Sequence, residues 1–160
     1  MPSTRRSRSI RWFICGLGAY VLSAVAYGQG GAHDPKFLAM QPEDLRPKAG
    51  STQVVISGDP SKPGMYVVQN TFAPGRTSRP HYHDQDRYIT VIKGTWWVSM
   101  GPEADVYDPS KMVAMKPGSY VFHPAFGHHY DGAKDEETTV RIIGMGPVTT
   151  KQLESNGRGQ

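Results

Sequence analysis

A chain of 160 residues with 38% hydrophobic and 20% charged residues has room for one domain of ordinary composition. Its formal net charge of +4 comes from the first 11 residues, because four of the 18 basic residues lie there and the other 14 balance the 14 acidic residues. No basic stripe remains to neutralise phosphates, so the electrostatic attraction that usually drives nucleic-acid binding is missing. We therefore expect no nucleic-acid partner.

Residues 1–26 have the layout of a secretory signal peptide. Four arginines and no acidic residue precede an apolar run over residues 12–26, which ends in an A-x-A triplet. A membrane anchor is the alternative, but the run is shorter than the roughly 20 residues that cross a bilayer. We predict a periplasmic or secreted bacterial protein without stable membrane insertion. Cleavage would also remove Cys15, the one cysteine, which leaves nitrogen and oxygen ligands for any metal site.

The remaining chain divides into an arm, a β-rich domain and a tail. Residues 27–50 are polar and contain prolines, which predicts an N-terminal arm with at most one helical turn near residues 42–45. Over residues 51–148, short runs rich in Val, Ile, Thr, Tyr and Trp alternate with turn residues, the pattern of an all-β sandwich or barrel. The predicted strands are 53–57, 65–72, 80–83, 88–93, 95–100, 113–116, 120–123, 129–131 and 138–144. Residues 149–160 are polar and predict a flexible tail.

Four of the six histidines fall into two groups, His81 with His83 and His128 with His129. Residues two apart on a β-strand project from the same face, so His81 and His83 point both imidazoles into one space, as two ligands of one ion require. Only one of the neighbours His128 and His129 can face inward on a strand. The alternatives are ordinary hydrogen-bonded strand histidines for the first group and a turn with solvent-facing imidazoles for the second. For His123 we predict a structural role, with a hydrogen bond near the site as the alternative.

Two stretches resemble the paired motifs of the cupin superfamily. The first, GRTSRPHYHDQDRYITVIKG at residues 75–94, has that superfamily's spacing of glycine, His-x-His and closing glycine, with Arg87 at the glutamate position. Within 118–133, the second motif matches at Gly118, Pro124 and His129, while Phe126 and Ala133 replace its glycine and asparagine. The resemblance covers residues 52–147 and extends to exported single-domain cupins that carry arginine at this position.

The resemblance implies an all-β fold, a double-stranded β-helix or jelly-roll barrel, with a metal near one mouth. It also implies that His81, His83 and His129 take the histidine ligand positions of one divalent ion. Histidine ligands suit Fe, Zn, Ni, Cu or Mn, which is our order of expectation. A homodimer is expected as well, because a small barrel leaves edge strands unpaired.

The fourth ligand position is open. Arg87 cannot coordinate a cation, because a guanidinium stays protonated and has no lone pair to give. Either water completes a three-histidine shell, or Gln85 lends its amide oxygen from the same predicted strand face. Arg87 would then reach past the ion and grip an anionic group with its planar fork. Tyr130 or Tyr120 can serve as an acid or hydrogen-bond donor, and we take Arg87 and Tyr130 as the candidate catalytic residues.

These residues predict a metal-dependent enzyme of the dioxygenase, lyase or isomerase type that acts on a small anionic molecule. A non-catalytic cupin that binds a small ligand or a metal chelate is the alternative. A metal-free barrel used for protein association is a third reading, since Trp96 and Trp97 point to opposite faces of one strand and one of them should lie outside the core.

Overall fold

The computed structural model describes residues 37–153. The predicted signal peptide and the first part of the predicted arm, residues 1–36, lie outside the described residues, as do residues 154–160. The compact unit that begins at Ala39 contains all the strands of the described chain. No helix of residues 37–153 is long and apolar enough to cross a membrane.

The described chain forms short strands joined by turns. The strands are β1 (Gln53–Ser57), β2 (Gly64–Phe72), β3 (His81–His83), β4 (Arg87–Lys93), β5 (Trp96–Met100), β6 (Val113–Met115), β7 (Tyr120–His123), β8 (His129–Gly132), β9 (Thr138–Gly146) and β10 (Thr150–Gln152). Two short 3₁₀ helices, Gly101–Asp105 and Pro109–Lys111, connect β5 to β6. All nine predicted strands are confirmed to within two residues at each end, because turn residues mark their limits so closely.

Two five-stranded antiparallel sheets make up the barrel. The first sheet has the strand order β1-β2-β9-β4-β7, and the second has the order β10-β3-β8-β5-β6. Strands that follow one another along the chain can therefore belong to different sheets: β3 belongs to the second sheet, whereas β2 and β4 belong to the first. The predicted all-β architecture is confirmed.

The core lies between the two sheets, where alternate residues of each strand face inward. Its buried members are Tyr66, Val68, Ile89, Val91, Trp96, Val98, Val121, Val140 and Ile142. Trp96 is fully buried, while Trp97 faces the other side of β5, with Nζ of Lys134 3.7 Å from its ring centroid. The two tryptophans thus take opposite faces, as the alternation of strand side chains predicts.

Strand β10 lies within the segment predicted to be a flexible tail. It pairs with β3 and places Thr150 opposite His83. Both the backbone N–H and the hydroxyl of Thr149 donate to the Asp84 carboxylate at 2.7 Å, which anchors the start of the strand. The tail prediction is therefore corrected for residues 150–152. Backbone pairing holds this exposed strand in place without the apolar alternation that marks a strand in a sequence.

Candidate metal centre

His81 and His83 on β3 and His129 on β8 meet on the inner face of the second sheet. His81 lies opposite His129 in the β3–β8 pairing, and all three side chains are buried. Their ring centroids are 4.2 Å apart for His81 and His129, 5.0 Å for His81 and His83, and 5.2 Å for His83 and His129. One ring nitrogen of each lies within 4.8 Å of the other two. Small rotations would bring these nitrogens onto one ion, because two nitrogens bound to zinc lie at most about 4.2 Å apart.

Each of the three imidazoles has a hydrogen-bond partner at Nδ1, so Nε2 is the nitrogen that a metal would use. Nδ1 of His81 donates to the carbonyl oxygen of Arg79 at 2.7 Å, and Nδ1 of His129 donates to that of Gly127 at 2.9 Å. Nδ1 of His83 lies 3.1 Å from the hydroxyl of Thr150 on β10. A proton held on Nδ1 keeps the lone pair on Nε2, which is how metal-binding histidines are commonly oriented.

Burial keeps the imidazoles of His83 and His129 neutral, the state that a metal requires. Burial first, and then the charge of Arg87, lowers the pKa of His83 from 6.5 to about 2. Burial and the neighbouring His81 lower the pKa of His129 to about 4. The donor set therefore fits a divalent transition metal, because it consists of three imidazoles and no cysteine.

Arg87 begins β4 and lines the same cavity, which has a volume of about 410 Å³ and lies between the two sheets. Its Nη1 donates a hydrogen bond to Nε2 of His83, the nitrogen that a metal would use. The sequence predicts instead that Arg87 extends past the ion toward an anion. The guanidinium bonds His83, and Nε of Arg87 remains buried without a partner.

Gln85 and Tyr130 are not brought to this cavity. Strand β3 ends at His83, so Gln85 lies in the bend before β4, outside the residues that line the cavity. Its role as a ligand stays a prediction. Tyr130 follows His129 on β8 and therefore faces the opposite side, where it packs against Ala104. Its hydroxyl donates to the carbonyl of Asp108 at 2.7 Å, and its catalytic role stays a prediction.

His128 also turns away from the cavity, as the alternation of β8 requires. Its Nδ1 lies 2.6 Å from the carboxylate of Asp105, and its ring stacks on Tyr82. Of the two neighbouring histidines, His129 is thus the inward one, in agreement with the motif spacing.

His123 is the cavity residue for which the sequence predicts only a structural role. It ends β7, is 3% exposed, and its ring centroid lies 4.0 Å from that of His129. Neither ring nitrogen has a hydrogen-bond partner. Burial, followed by the neighbouring His129, lowers its pKa to about 2. The alternation of β7, in which Val121 and His123 face inward, is the signal in the sequence that identifies it.

No protein-family model matches the sequence, and no curated protein matches it. Solved structures match the fold. An uncharacterised protein with a double-stranded β-helix domain from Klebsiella pneumoniae has a TM-score of 0.54 at 19% identity, over 70% of this chain and 92% of that one. A cupin 2 domain-containing protein from Halorhodospira halophila has a TM-score of 0.53 at 14% identity, over 69% and 80% of the two chains. The chain has the cupin fold.

Two other cupin-like neighbours have named activities. A chain from crystal structures of DMSP lyases has a TM-score of 0.51 at 17% identity, over 62% of this chain and 51% of the lyase chain. The chain thus spans about half the length of that lyase chain. The polyketide cyclase RemF from Streptomyces resistomycificus has a TM-score of 0.51 at 15% identity, over 64% and 72%. At these identities the likeness shows the fold, and the activities are those of the neighbours.

Proposed function

We propose that the protein is a metal-dependent enzyme that acts on a small, anionic molecule, with one ion of Fe, Zn, Ni, Cu or Mn on His81, His83 and His129. The observation that carries the proposal is the convergence of three buried imidazoles on one cavity, each with a hydrogen-bond partner at its Nδ1 atom. Structural histidines have no need of such a convergence, whereas a metal site does.

An ion held by three neutral imidazoles would keep its double charge and open coordination positions, and would supply Lewis-acid or oxygen-activating chemistry. The residues of the chain would bind and orient the substrate. The guanidinium of Arg87, which lines the cavity, would provide a positive charge that attracts an anionic substrate. Water or Gln85 would complete the coordination shell.

The reaction is proposed to be of the dioxygenase, lyase or isomerase type. A lyase and a cyclase among the cupin-like neighbours support small-molecule chemistry in a cavity of this kind. They do not select one reaction, because one fold hosts many chemistries.

A second candidate function is the non-catalytic capture of a small ligand or a metal chelate. The hydrogen bond from Arg87 to His83 favours it, because the guanidinium competes with a metal for the same lone pair. Turnover separates the two functions. Metal-loaded protein would be screened on small organic acids and diketones with oxygen uptake followed, and binding without any turnover would support capture.

Metal analysis of residues 27–160, purified without a metal-binding tag, tests the shared basis of both functions. We expect about one ion per chain, its loss in the double variant His81→Ala, His83→Ala, and its retention in His128→Ala, which changes the outward neighbour. No bound ion after reconstitution with Fe, Zn, Ni, Cu and Mn would contradict the proposal.

We also propose that the protein is exported, on the pattern of residues 1–26. Expression of the full chain in a Gram-negative bacterium should yield periplasmic protein whose amino terminus begins at residue 27 or 29. Uncleaved protein in the membrane fraction would support an anchor instead.

A further inference from the structure

Four residues form a row across the inner face of the first sheet. Tyr66 on β2 lies opposite Gly144 on β9, Gly144 lies opposite Arg87 on β4, and Arg87 lies opposite His123 on β7. The side chains of Tyr66, Arg87 and His123 all line the cavity that contains the three histidines. We call these three residues the polar row. It faces the candidate metal ligands from the other sheet.

The polar row holds buried polar atoms without partners. Among residues 37–153, five buried side-chain nitrogen or oxygen atoms make no hydrogen bond, and four of them belong to this row: the hydroxyl of Tyr66, Nε of Arg87 and both ring nitrogens of His123. An unpaired buried polar group costs about 1–3 kcal/mol, so native proteins contain few of them. Their concentration in one row indicates a binding surface.

Gly144 brings two of these groups together. A Cβ atom at Gly144 would lie 2.6 Å from the Tyr66 hydroxyl, so the tyrosine ring leans over the glycine. Since Gly144 separates Tyr66 from Arg87 in the row, this lean carries the hydroxyl toward the guanidinium. The row therefore presents a phenol donor, a guanidinium and an imidazole N–H along one line.

We propose that the polar row binds the carboxylate of a small organic acid, and that this binding strengthens metal binding at the three histidines by drawing Arg87 away from His83. The inference rests on the proposed function, because it requires a metal on His81, His83 and His129. A carboxylate fits the row because its two oxygens accept from the fork of a guanidinium and have capacity left for a hydroxyl and an N–H donor.

The coupling follows from the single lone pair on Nε2 of His83. That lone pair cannot accept a hydrogen bond from Arg87 and bind a metal at the same time. A positive guanidinium at this position also repels the ion. A carboxylate held by Tyr66, Arg87 and His123 would hold the guanidinium away from Nε2 of His83. It would also offset the positive charge of the guanidinium. By linkage, the metal must strengthen carboxylate binding by the same factor.

The test measures zinc affinity by competition with a chromogenic chelator, with saturating acetate or with sodium chloride at equal ionic strength. In the wild-type protein, acetate should raise zinc affinity at least about fivefold. Arg87→Met should bind zinc more tightly than wild type in chloride and should lose the response to acetate. Arg87→Lys keeps the charge without the planar fork, and should show a reduced acetate response.

His123→Leu separates a carboxylate contact from a metal ligand. We expect it to keep the zinc affinity that wild type has in chloride and to respond less to acetate, while His123→Gln, which retains an N–H donor, should recover part of the response. Loss of zinc binding in both variants, with an unchanged circular dichroism spectrum, would make His123 a fourth ligand and overturn the inference.

Two further outcomes would also overturn the inference that the polar row binds a carboxylate and so strengthens metal binding. If acetate raises the zinc affinity of Arg87→Met as much as that of wild type, acetate coordinates the ion directly. If Arg87→Met and wild type have the same zinc affinity in chloride, Arg87 does not compete with the metal for His83. Either result leaves the proposed metal site standing. Wild-type protein that binds no zinc under any of these conditions would instead overturn the proposed function itself.

Discussion

The loop that leads into His129 turns at Phe126, whose φ of 62° lies in the left-handed region. Its backbone N–H donates to the carbonyl of His83 at 2.7 Å, so the turn ties two of the candidate ligands together. Residues with a side chain pay about 1–2 kcal/mol for this conformation, which explains why the cupin motif has glycine here. The side chain of Phe126 is 65% exposed and recovers little by packing.

Replacing Phe126 tests this backbone strain. Phe126→Gly should be more stable than Phe126→Ala by about 1 kcal/mol in urea unfolding, because both variants lose the same ring but only glycine adopts the left-handed region without cost. At an ordinary loop position the order of Gly and Ala is reversed. A more stable alanine variant would contradict the strain.

Acid should destabilise the metal-free protein through its buried histidines. Burial lowers the pKa of His83 and His123 to about 2 and that of His129 to about 4, from 6.5. Below pH 6.5 these histidines bind protons in the unfolded chain but not in the folded chain, so the free energy of unfolding falls as pH falls. The loss continues to about pH 4 for His129 and to lower pH for the other two. Each histidine lowers the free energy of unfolding by at most about 1.4 kcal/mol for each pH unit of acidification.

Urea unfolding at pH 7.5 and at pH 5 measures this loss. The difference in unfolding free energy should be smaller in His123→Leu than in wild type, because one of the three groups has been removed. Val106→Ala, which changes an exposed side chain that does not titrate, is the control and should keep the wild-type difference. Equal stability of the wild-type protein at the two pH values would show that the histidines are protonated in the fold.

Among the elements, β10 connects the end of the described chain to the candidate site. Its pairing with β3 brings the Thr150 hydroxyl to 3.1 Å from Nδ1 of His83, on the far side of the ring from Arg87. A partner of this kind fixes the orientation of a ligand imidazole. The strand is therefore part of the site, although none of its residues would touch the ion.

Removing the hydroxyl of Thr150 tests the role of the strand. Thr150→Val keeps a β-branched shape and should weaken zinc affinity about tenfold, the usual cost of losing such a partner. Lys151→Ala, on the same strand and exposed, should leave the affinity unchanged. The same chelator competition provides the measurement, and equal affinities for the two variants would assign β10 no part in orienting His83.

At the scale of the whole molecule, the outer face of the first sheet exposes a group of apolar side chains. Tyr88 lies opposite Phe122 on one side and Ile143 on the other, and Met65 lies opposite Met145 one row away. These side chains are between 41% and 63% exposed. The group contains no charge, so a second copy can meet it in a two-fold arrangement without repulsion, and contiguous apolar surface of this kind favours association.

The predicted homodimer should therefore form through this face. Wild-type protein should elute as a dimer in size-exclusion chromatography with light scattering, and Phe122→Arg should shift it toward monomer because the contact would bury a charge. Val106→Arg changes an exposed apolar residue outside the group and is the control. A wild-type monomer at high concentration would rule out the dimer.

The sequence by itself determined nine of the ten strands, because turn residues mark the strand ends. Strand alternation placed His81 and His83 on one face, and the resemblance to the second cupin motif pointed to His129. The sequence did not determine which side chains of the first sheet face these histidines. Tyr66, Arg87 and His123 come from separate strands of the first sheet, and the register of those strands is set by long-range backbone pairing. The pairing of β10 with β3 is likewise tertiary, because three exposed residues carry no local pattern. The hydrogen bond between Arg87 and His83 was decided only when the barrel closed and faced one sheet with the other.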